Sequence, residues 1–557
     1  LRPRTALLVG AMCSVLVAAA TPTAAETGAV TGEVTGDGPT VTHEVVDSFD
    51  GEPIFTTLFM PEGASTADPA PLVMRSHGWS GHGERDLAEA SSTTRALLEA
   101  GYAVLTWDER GFGYSGGEVN VLKPRKEGRD ASALIDWLAT DPDVAARLAC
   151  ESGRGEDGTC ADPVIGMTGG SYGGGIQLVT AAVDGEYSST TDGGEPRVDA
   201  LAPEITWNDL RYSLFGNRVL NFGWGELLYA VGVPTARGAG LDPRNPAGPR
   251  SGGLHPRIHQ AQAEGAATNQ MSGESVDFFG RSSIARYGAE NPVAVPSLFM
   301  QGSVDTLFDL TEAARNFDHV RDRAPARLVA FCGGHVSCPD SYADADDRAF
   351  LDEAILDWFA KYLKGKDTDT GPPVAYRTNE GVWRSASDFT PDDARLVTAE
   401  GDGSVVSSPV PTTADPGSGP ADAAITAQPS GPGDPHAFSV EVTSADDGSA
   451  ELVGIPRARL EVSGEGQAMH LMLKLVDREA GEVVNLQETP VRVTDLAGEP
   501  QRFDIPMSGI AYTLPEGHHL DLQVSTTSVM HAPARTPATG EVSVEVDVPE
   551  RRAGRVR

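Results

Sequence analysis

Between residues 72 and 363 short apolar runs alternate with stretches of helical period. The runs at 72–75, 103–107, 164–168, 297–300 and 328–331 are four or five residues long and flanked by Gly, Pro or polar clusters, which reads as buried strands. Between them 87–100 and 131–139 carry a helical pattern. In 346–363, Phe350, Ala354, Ile355, Trp358 and Phe359 recur at helical spacing and mark a face turned to the core. Such alternation predicts a mostly parallel sheet with helices on both faces. Ahead of it, VTHEVVDSFDGEPIFTTLFMP is strand-rich, with Asp50-Gly51 as a hairpin turn.

The alternation breaks twice. From about 207 to 291 the chain is aromatic and helical, WNDLRYSLFGNRVLNFGWGELLYAVG, then rich in Pro, Gly and Arg over 242–257. This reads as a cap inserted between two sheet strands, and Trp207, Tyr212, Phe215, Phe222 and Trp224 read as its packing residues. From 371 the character shifts again, through a Pro/Gly/Ser/Ala-rich linker at 405–424 to alternating segments at 457–462, 470–476 and 520–525, which predict a β-sandwich. The terminal RRAGRVR reads as a frayed tail. The domain boundaries drawn from these shifts are 26–370 and 371–557.

Composition narrows the function. With 80 acidic against 43 basic residues, the net charge of −37 excludes nucleic acid or an anionic membrane as the main partner. Arg2 and Arg4, the apolar run 6–20 and the small residues Thr23-Ala24-Ala25 form an export signal with cleavage before Glu26, too short for a membrane span. The expected location is therefore extracellular. Past Cys13, which lies inside that signal, four cysteines remain. Local pairs Cys150–Cys160 and Cys332–Cys338 are the simplest of three connectivities in an oxidising compartment. Cys332, His335 and Cys338 also resemble three metal ligands, but no fourth is in view, and the disulfide is favoured.

The chemistry centres on VIGMTGGSYGGGIQL, where Gly169-Gly170-Ser171-Tyr172-Gly173 joins a strand to a helix. A turn that tight excludes side chains and holds a serine hydroxyl beside a helix N-terminus. A serine needs a base, and the base an acid to orient it. After the strand SLFM stands Gly302-Ser303-Val304-Asp305, with Asp309 as a nearby rival. After LVAF stands Gly333-Gly334-His335. The chain order of serine, acid and histidine is that of α/β-hydrolases. Oxyanion donors are expected from the Tyr172 N–H and from the loop Ser76-His77-Gly78-Trp79-Ser80-Gly81, with the Trp79 N–H as candidate and Gly78 as rival. His77 and the loop Asp108-Glu109-Arg110-Gly111 read as scaffold.

With GGSYGG, DERGFGYSGG, FFGRSSIARYGAENPVAVPSLFMQGSVDTLF, PPVAYRTNEGVWRSASDF, LEVSGEGQ and LKLVDREAGEV, most of the chain resembles the cocaine-esterase/X-prolyl dipeptidyl-peptidase family of serine hydrolases. The resemblance implies an α/β-hydrolase core, a helical cap and a C-terminal jelly-roll sandwich of galactose-binding-like form. It implies hydrolysis of acyl esters or amides, including some peptides with proline second, without metal or organic cofactor. It places nucleophile, acid and base on Ser171, Asp305 and His335. Family members often carry Arg-x-Pro-Tyr after the third strand, with the tyrosine hydroxyl donating to the oxyanion. Here Arg75-Ser76-His77-Gly78 has no such tyrosine, which leaves two backbone amides.

The function expected is that of an exported serine hydrolase acting on a small ester or amide or a short peptide through an acyl-enzyme. Release of X-Pro dipeptides is the alternative, and it needs a carboxylate for the substrate's amino terminus, for which the cap offers Asp209 and Glu226. A rival of another class is an exported protein that binds carbohydrate or envelope polymer on a hydrolase scaffold. Sequence does not decide the oligomeric state.

Overall fold

The computed structural model describes residues 38–191, 194–236, 252–343, 347–390, 394–407 and 425–551. The export signal at 1–25, most of the 405–424 linker, the stretch 237–251 and the tail beyond Arg551 lie outside these residues.

The strands β1 (Thr40–Asp47), β2 (Pro53–Met60), β3 (Leu72–Arg75), β4 (Ala103–Trp107), β5 (Ile165–Gly170), β6 (Ala200–Glu204), β7 (Ser297–Gly302), β8 (Ala326–Phe331), β9 (Val374–Arg377) and β10 (Trp383–Ala386) form one ten-stranded sheet. Its order is β1-β2-β4-β3-β5-β6-β7-β8-β9-β10. The central strands β4 to β9 in that order run parallel; β1–β2, β2–β4 and β9–β10 are antiparallel. Gly51 makes the β1–β2 turn with φ 82°.

Both faces are covered, which is why these strands read as unbroken apolar runs. Leu72 and Met74 point to one face, while Val73 points to the other and joins Val104, Leu298 and Val329 there. On that second face lie α1 (Ser92–Glu99) and α9 (Arg348–Tyr362), the latter through the predicted Ala354, Ile355, Trp358 and Phe359. On the first lie α2 (Glu127–Thr140), α3 (Tyr172–Tyr187) and α8 (Leu310–Arg321). Helix α1 begins later than the pattern at 87 predicts. Asp86 draws the N–H groups of Ala88 and Glu89 into a local turn, and Ser91 then caps the helix by accepting from the Thr94 N–H.

Between β6 and β7 the chain builds the cap: α4 (Leu210–Phe215), α5 (Phe222–Ala236), α6 (Pro256–Thr268) and α7 (Gly273–Gly280). Strands β9 and β10 lie past the boundary drawn at 370, yet they complete the core sheet by pairing with β8 and with each other. Nothing local in Val374–Arg377 announces which sheet it joins.

Beyond them two sheets pack face to face. One orders Gln501–Pro506, Arg457–Gly466, Ala538–Arg551, Ala450–Gly454 and Ile510–Leu514, with Arg395–Val406 also on the long strand. The other orders Ala437–Ser444, His519–Ser525, Ala468–Asp477 and Glu482–Val483, with Thr489–Thr494 also on the third. Leu460, Val544 and Val546 from the first meet Leu473, Val493 and Leu522 from the second in the core.

The sandwich docks on the hydrolase core at specific atoms. The Gln487 Nε2 donates to the Asp305 carbonyl (2.8 Å), Gly509 N to Thr311 Oγ1 (2.8 Å) and Gly223 N, at the start of α5, to the Met530 carbonyl (2.9 Å).

Candidate active site

Ser171 sits between the end of β5 and the start of α3 with φ 57° and ψ −117°. A non-glycine residue pays for that left-handed backbone in strain, and the turn around it holds it there. Its N–H donates to the Glu204 carbonyl (2.9 Å), and its own carbonyl accepts from Gly174 N, Gly175 N and Thr206 Oγ1. Two flanking glycines have a steric cause. A Cβ on Gly169 (φ 141°) would lie 2.6 Å from the Ser76 carbonyl oxygen, and one on Gly173 would lie 2.3 Å from it. The loop after β3 therefore rests directly on the elbow.

His335 Nε2 is 2.7 Å from Ser171 Oγ, and His335 Nδ1 is 2.7 Å from Asp305 Oδ2. The loops after β7 and β8 bring acid and imidazole together, and Gly334 permits the approach, since a Cβ there would be 2.5 Å from the Asp305 Cβ. Asp305 is fully buried. Its Oδ1 accepts from Leu307 N (3.0 Å) and Phe308 N (3.1 Å), and its Oδ2 also accepts from His335 N (3.1 Å) and Gln301 Nε2 (3.3 Å). Five donors on one carboxylate hold its orientation. Phe308 and Trp224 meet the imidazole edge-on at 5.2 and 5.7 Å. Asp309 is committed elsewhere: Oδ1 caps α8 through Thr311 N, and Oδ2 accepts from the Tyr212 hydroxyl (2.7 Å).

Disulfides join Cys332 to Cys338, across the histidine loop, and Cys150 to Cys160. The first removes the thiolates that a metal between Cys332, His335 and Cys338 would need. Elsewhere Asp477, Glu479 and His518 cluster in the sandwich, where Asp477 is already engaged by the Tyr512 hydroxyl, His518 and Ala480 N.

Neither the Tyr172 N–H nor the Trp79 N–H has an acceptor among the described residues. Of the two loop candidates, the peptide that carries the Trp79 N–H is the one held at its carbonyl end. His77 Nδ1 lies 2.7 Å from the Gly78 carbonyl, which also accepts from Gly81 N (3.0 Å), and this pins the peptide whose N–H belongs to Trp79. His77 Nε2 accepts from Glu109 N (2.9 Å), so its proton is on Nδ1, and burial holds its pKa below the ordinary value. The scaffold reading of 108–111 thus gains a mechanism: Glu109 and His77 brace the loop.

Glu109 is fully buried. Its Oε1 accepts from Ser76 Oγ (2.6 Å), while its Oε2 has no partner among the described residues. Burial pushes its carboxyl up to about 8, and nearby Glu127 adds to the rise. A folded-state pKa above the unfolded one means that unfolding releases a proton between the ordinary glutamate value and about pH 8. Stability contributed by this group is therefore present at low pH and lost as pH rises through that window, by at most about 1.4 kcal/mol per pH unit. Denaturant titrations from pH 5 to 8.5 are expected to show stability falling with pH, and Glu109→Gln is expected to flatten the slope. An unchanged slope in the variant would assign the effect elsewhere.

Above Ser171 opens a cavity of about 120 Å³. Its walls are apolar: Trp79, Trp207, Leu210, Leu228, Ile258 and Phe308 are among them, with Phe222 at the surface. Of the five aromatics read as cap packing, Trp207 and Phe222 face this space, while Trp224 instead donates from Nε1 to Thr306 Oγ1 (3.0 Å). Among the described residues one carboxylate lines it, Glu226, whose two oxygens are each 3.4 Å from Gln262 Nε2. Asp209 does not line it; it caps α4 through Arg211 N and pairs with the Arg211 guanidinium (2.7 Å). The sequence signal for that was local, an aspartate directly before the helical LRYSLF. Among the described residues no helix is long and apolar enough to cross a membrane.

Two family models match the chain: X-Pro dipeptidyl-peptidase (S15 family) over 50–337, and the X-Pro dipeptidyl-peptidase C-terminal non-catalytic domain over 366–548. Solved structures resemble it along nearly its whole length. An α-amino acid ester hydrolase has a TM-score of 0.69 at 17% identity, covering 96% of this chain and 100% of that one. An aminopeptidase from a marine sediment Thaumarchaeota archaeon has 0.67 at 16%, covering 95% and 99%. A CocE/NonD family hydrolase from Staphylococcus aureus has 0.61 at 15%, covering 92% and 94%. At such identities the likeness is one of fold, an α/β-hydrolase with an all-β C-terminal part. An uncharacterized 31.7 kDa protein of Escherichia coli, from the traX-finO intergenic region, is 32% identical over 142 residues, which are 25% of this chain and 42% of that relative. The chain thus spans less than half the length of the curated relatives it matches.

Proposed function

Since the chain belongs to the X-Pro dipeptidyl-peptidase (S15) family of serine hydrolases, we propose that it hydrolyses esters or amides of apolar acyl groups through an acyl-enzyme on Ser171. His335 Nε2 takes the Ser171 proton as the hydroxyl attacks the acyl carbon, and Asp305 keeps the imidazole's other proton on Nδ1. The Tyr172 and Trp79 N–H groups receive the oxyanion. The protonated His335 then passes its proton to the departing alcohol or amine, and water, deprotonated in turn by His335, releases the acid. The observation that carries the substrate class is the cavity beside Ser171, walled almost wholly by apolar side chains.

A second reading has one observation in its favour. Glu226 lines that cavity, and X-Pro dipeptide release needs a carboxylate for the substrate's charged amino terminus. A panel of p-nitrophenyl esters against X-Pro-p-nitroanilides, run on wild type and Glu226→Gln, separates the two. The ester reading expects turnover of the neutral esters, with Glu226→Gln within about threefold of wild type. Exclusive turnover of X-Pro anilides, with KM raised at least tenfold by Glu226→Gln, would replace it with the peptidase reading.

Export is part of the proposal. Two disulfides support an oxidising compartment, and the signal read over residues 1–25 supplies the route. We also propose that residues up to Ala386 act as one catalytic unit, since β9 and β10 belong to its sheet.

A further inference from the structure

We infer that the cap helix α5 positions the oxyanion donor, acting through the indole of Trp79, so that binding of the acyl group and stabilisation of the oxyanion share one structural element. The inference rests on the reading above that the Trp79 N–H is a donor. Trp79 Nε1–H donates to the Leu228 carbonyl in the middle of α5 (2.9 Å), a contact 149 residues away in sequence. One turn further along the helix, Gly232 lies flat against the same ring. A Cβ added there would be 2.8 Å from Trp79 Cζ2 and 2.9 Å from Nε1. The indole also meets Phe112 (5.1 Å) and Tyr172 (5.4 Å) edge-on, and Tyr172 carries the other candidate donor.

Trp79 is therefore held at both ends. His77 and Gly81 grip the carbonyl of its preceding peptide, and α5 grips its side chain. The same helix walls the acyl cavity with Phe222, Glu226, Leu228 and Tyr229, and Leu228 serves both sides at once. At its start, α5 is tied to the sandwich by Gly223 N and to the acid loop by Trp224 Nε1. With Gly223, Gly225, Gly232 and Pro234 in 15 residues, the helix has weak intrinsic stability and takes its order from these contacts. The Trp79 indole and Gly232 have a positioning role, acting through the Trp79 backbone N–H. A misplacement of the donor by a fraction of an ångström is felt in the transition state and little in the ground state.

The test uses three variants of the full chain: Gly232→Ala, Trp79→Phe, which keeps an aromatic ring but has no N–H, and His77→Gln, which releases the loop but not the cap. For each, kcat and KM are measured on a turned-over p-nitrophenyl ester. The inhibition constant of a trifluoromethyl ketone with the matching acyl chain is measured alongside, since its adduct with Ser171 places an oxyanion in the hole. Melting temperature is followed in parallel. Gly232→Ala is expected to lower kcat by about 10- to 100-fold with KM within about twofold. The ketone should weaken by the factor lost in kcat/KM. Melting should shift by only a few degrees, because the helical preference for alanine offsets part of the overpacking against the indole. Trp79→Phe should show the same coupling of kcat/KM to ketone affinity. If only His77→Gln weakens the ketone, the donor stands and the link to the cap is overturned. If none of the three does, the Trp79 N–H is not a donor and both readings fall.

Discussion

Ser171→Ala is expected to lower kcat by roughly 10⁶-fold, leaving the slow hydrolysis that oxyanion donors and binding alone can sustain. The size of the loss follows from the geometry. The hydroxyl is 2.7 Å from His335 Nε2, held at a strained elbow, and aimed at a cavity built around it. The variant should fold as the wild type does, since the elbow is made by Gly169, Gly173 and the carbonyl of Ser76, not by the hydroxyl. Steady-state turnover of a p-nitrophenyl ester, with enzyme freed of wild-type contamination, measures the loss. A residual rate above about 1% of wild type would place the nucleophile elsewhere.

Asp305→Asn is expected to cost about 10⁴-fold in kcat with KM little changed, although it replaces one atom. The cost comes from the hydrogen-bond map around the carboxylate. Leu307 N and Phe308 N both donate to Oδ1, so the amide oxygen must take that place and the NH₂ group must take the Oδ2 place. There it faces His335 Nδ1, which must then accept instead of donate. The proton moves to Nε2, the atom that should receive the serine proton. Either orientation sets the NH₂ against two further donors, Leu307 N and Phe308 N at the Oδ1 place or His335 N and Gln301 Nε2 at the Oδ2 place, but the second pair is the longer (3.1 and 3.3 Å) and includes a side chain that can turn away. A loss below about tenfold would show that another acid orients His335. Asp309 would be the first to examine, despite its commitment to Tyr212 and to the start of α8.

How far the sequence carries depends on whether the determining contact is local. Strands buried on both faces appear as apolar runs, and β3 and β4 fall on the residues their runs predict. The elbow glycines are legible as a pattern, but their cause is not: it is the carbonyl of Ser76, 93 positions before Gly169 in the chain. The same holds for β9, whose partner is β8 across the connection that carries α9, and for β10, which pairs with β9; their own residues read equally well as the start of the next domain. In the cap, sequence offered Asp209 and Glu226 on equal terms. Which one faces the cavity is set by the rotation of α5 and by the N-capping role that occupies Asp209. His77 read as scaffold, and its contacts agree, but its grip on the Gly78 carbonyl required the loop to be seen folded. Gln487, which reaches the acid loop from the sandwich, carries no local signal at all.

The central claim is that Ser171 is an activated nucleophile. Covalent labelling with a fluorophosphonate probe, followed by peptide mapping in a mass spectrometer, tests it most directly on wild type and Ser171→Ala with disulfides intact. A phosphonyl adduct on Ser171 is expected in the wild type and none in the variant. No labelling of folded wild-type protein, or an adduct on another residue in both, would contradict it.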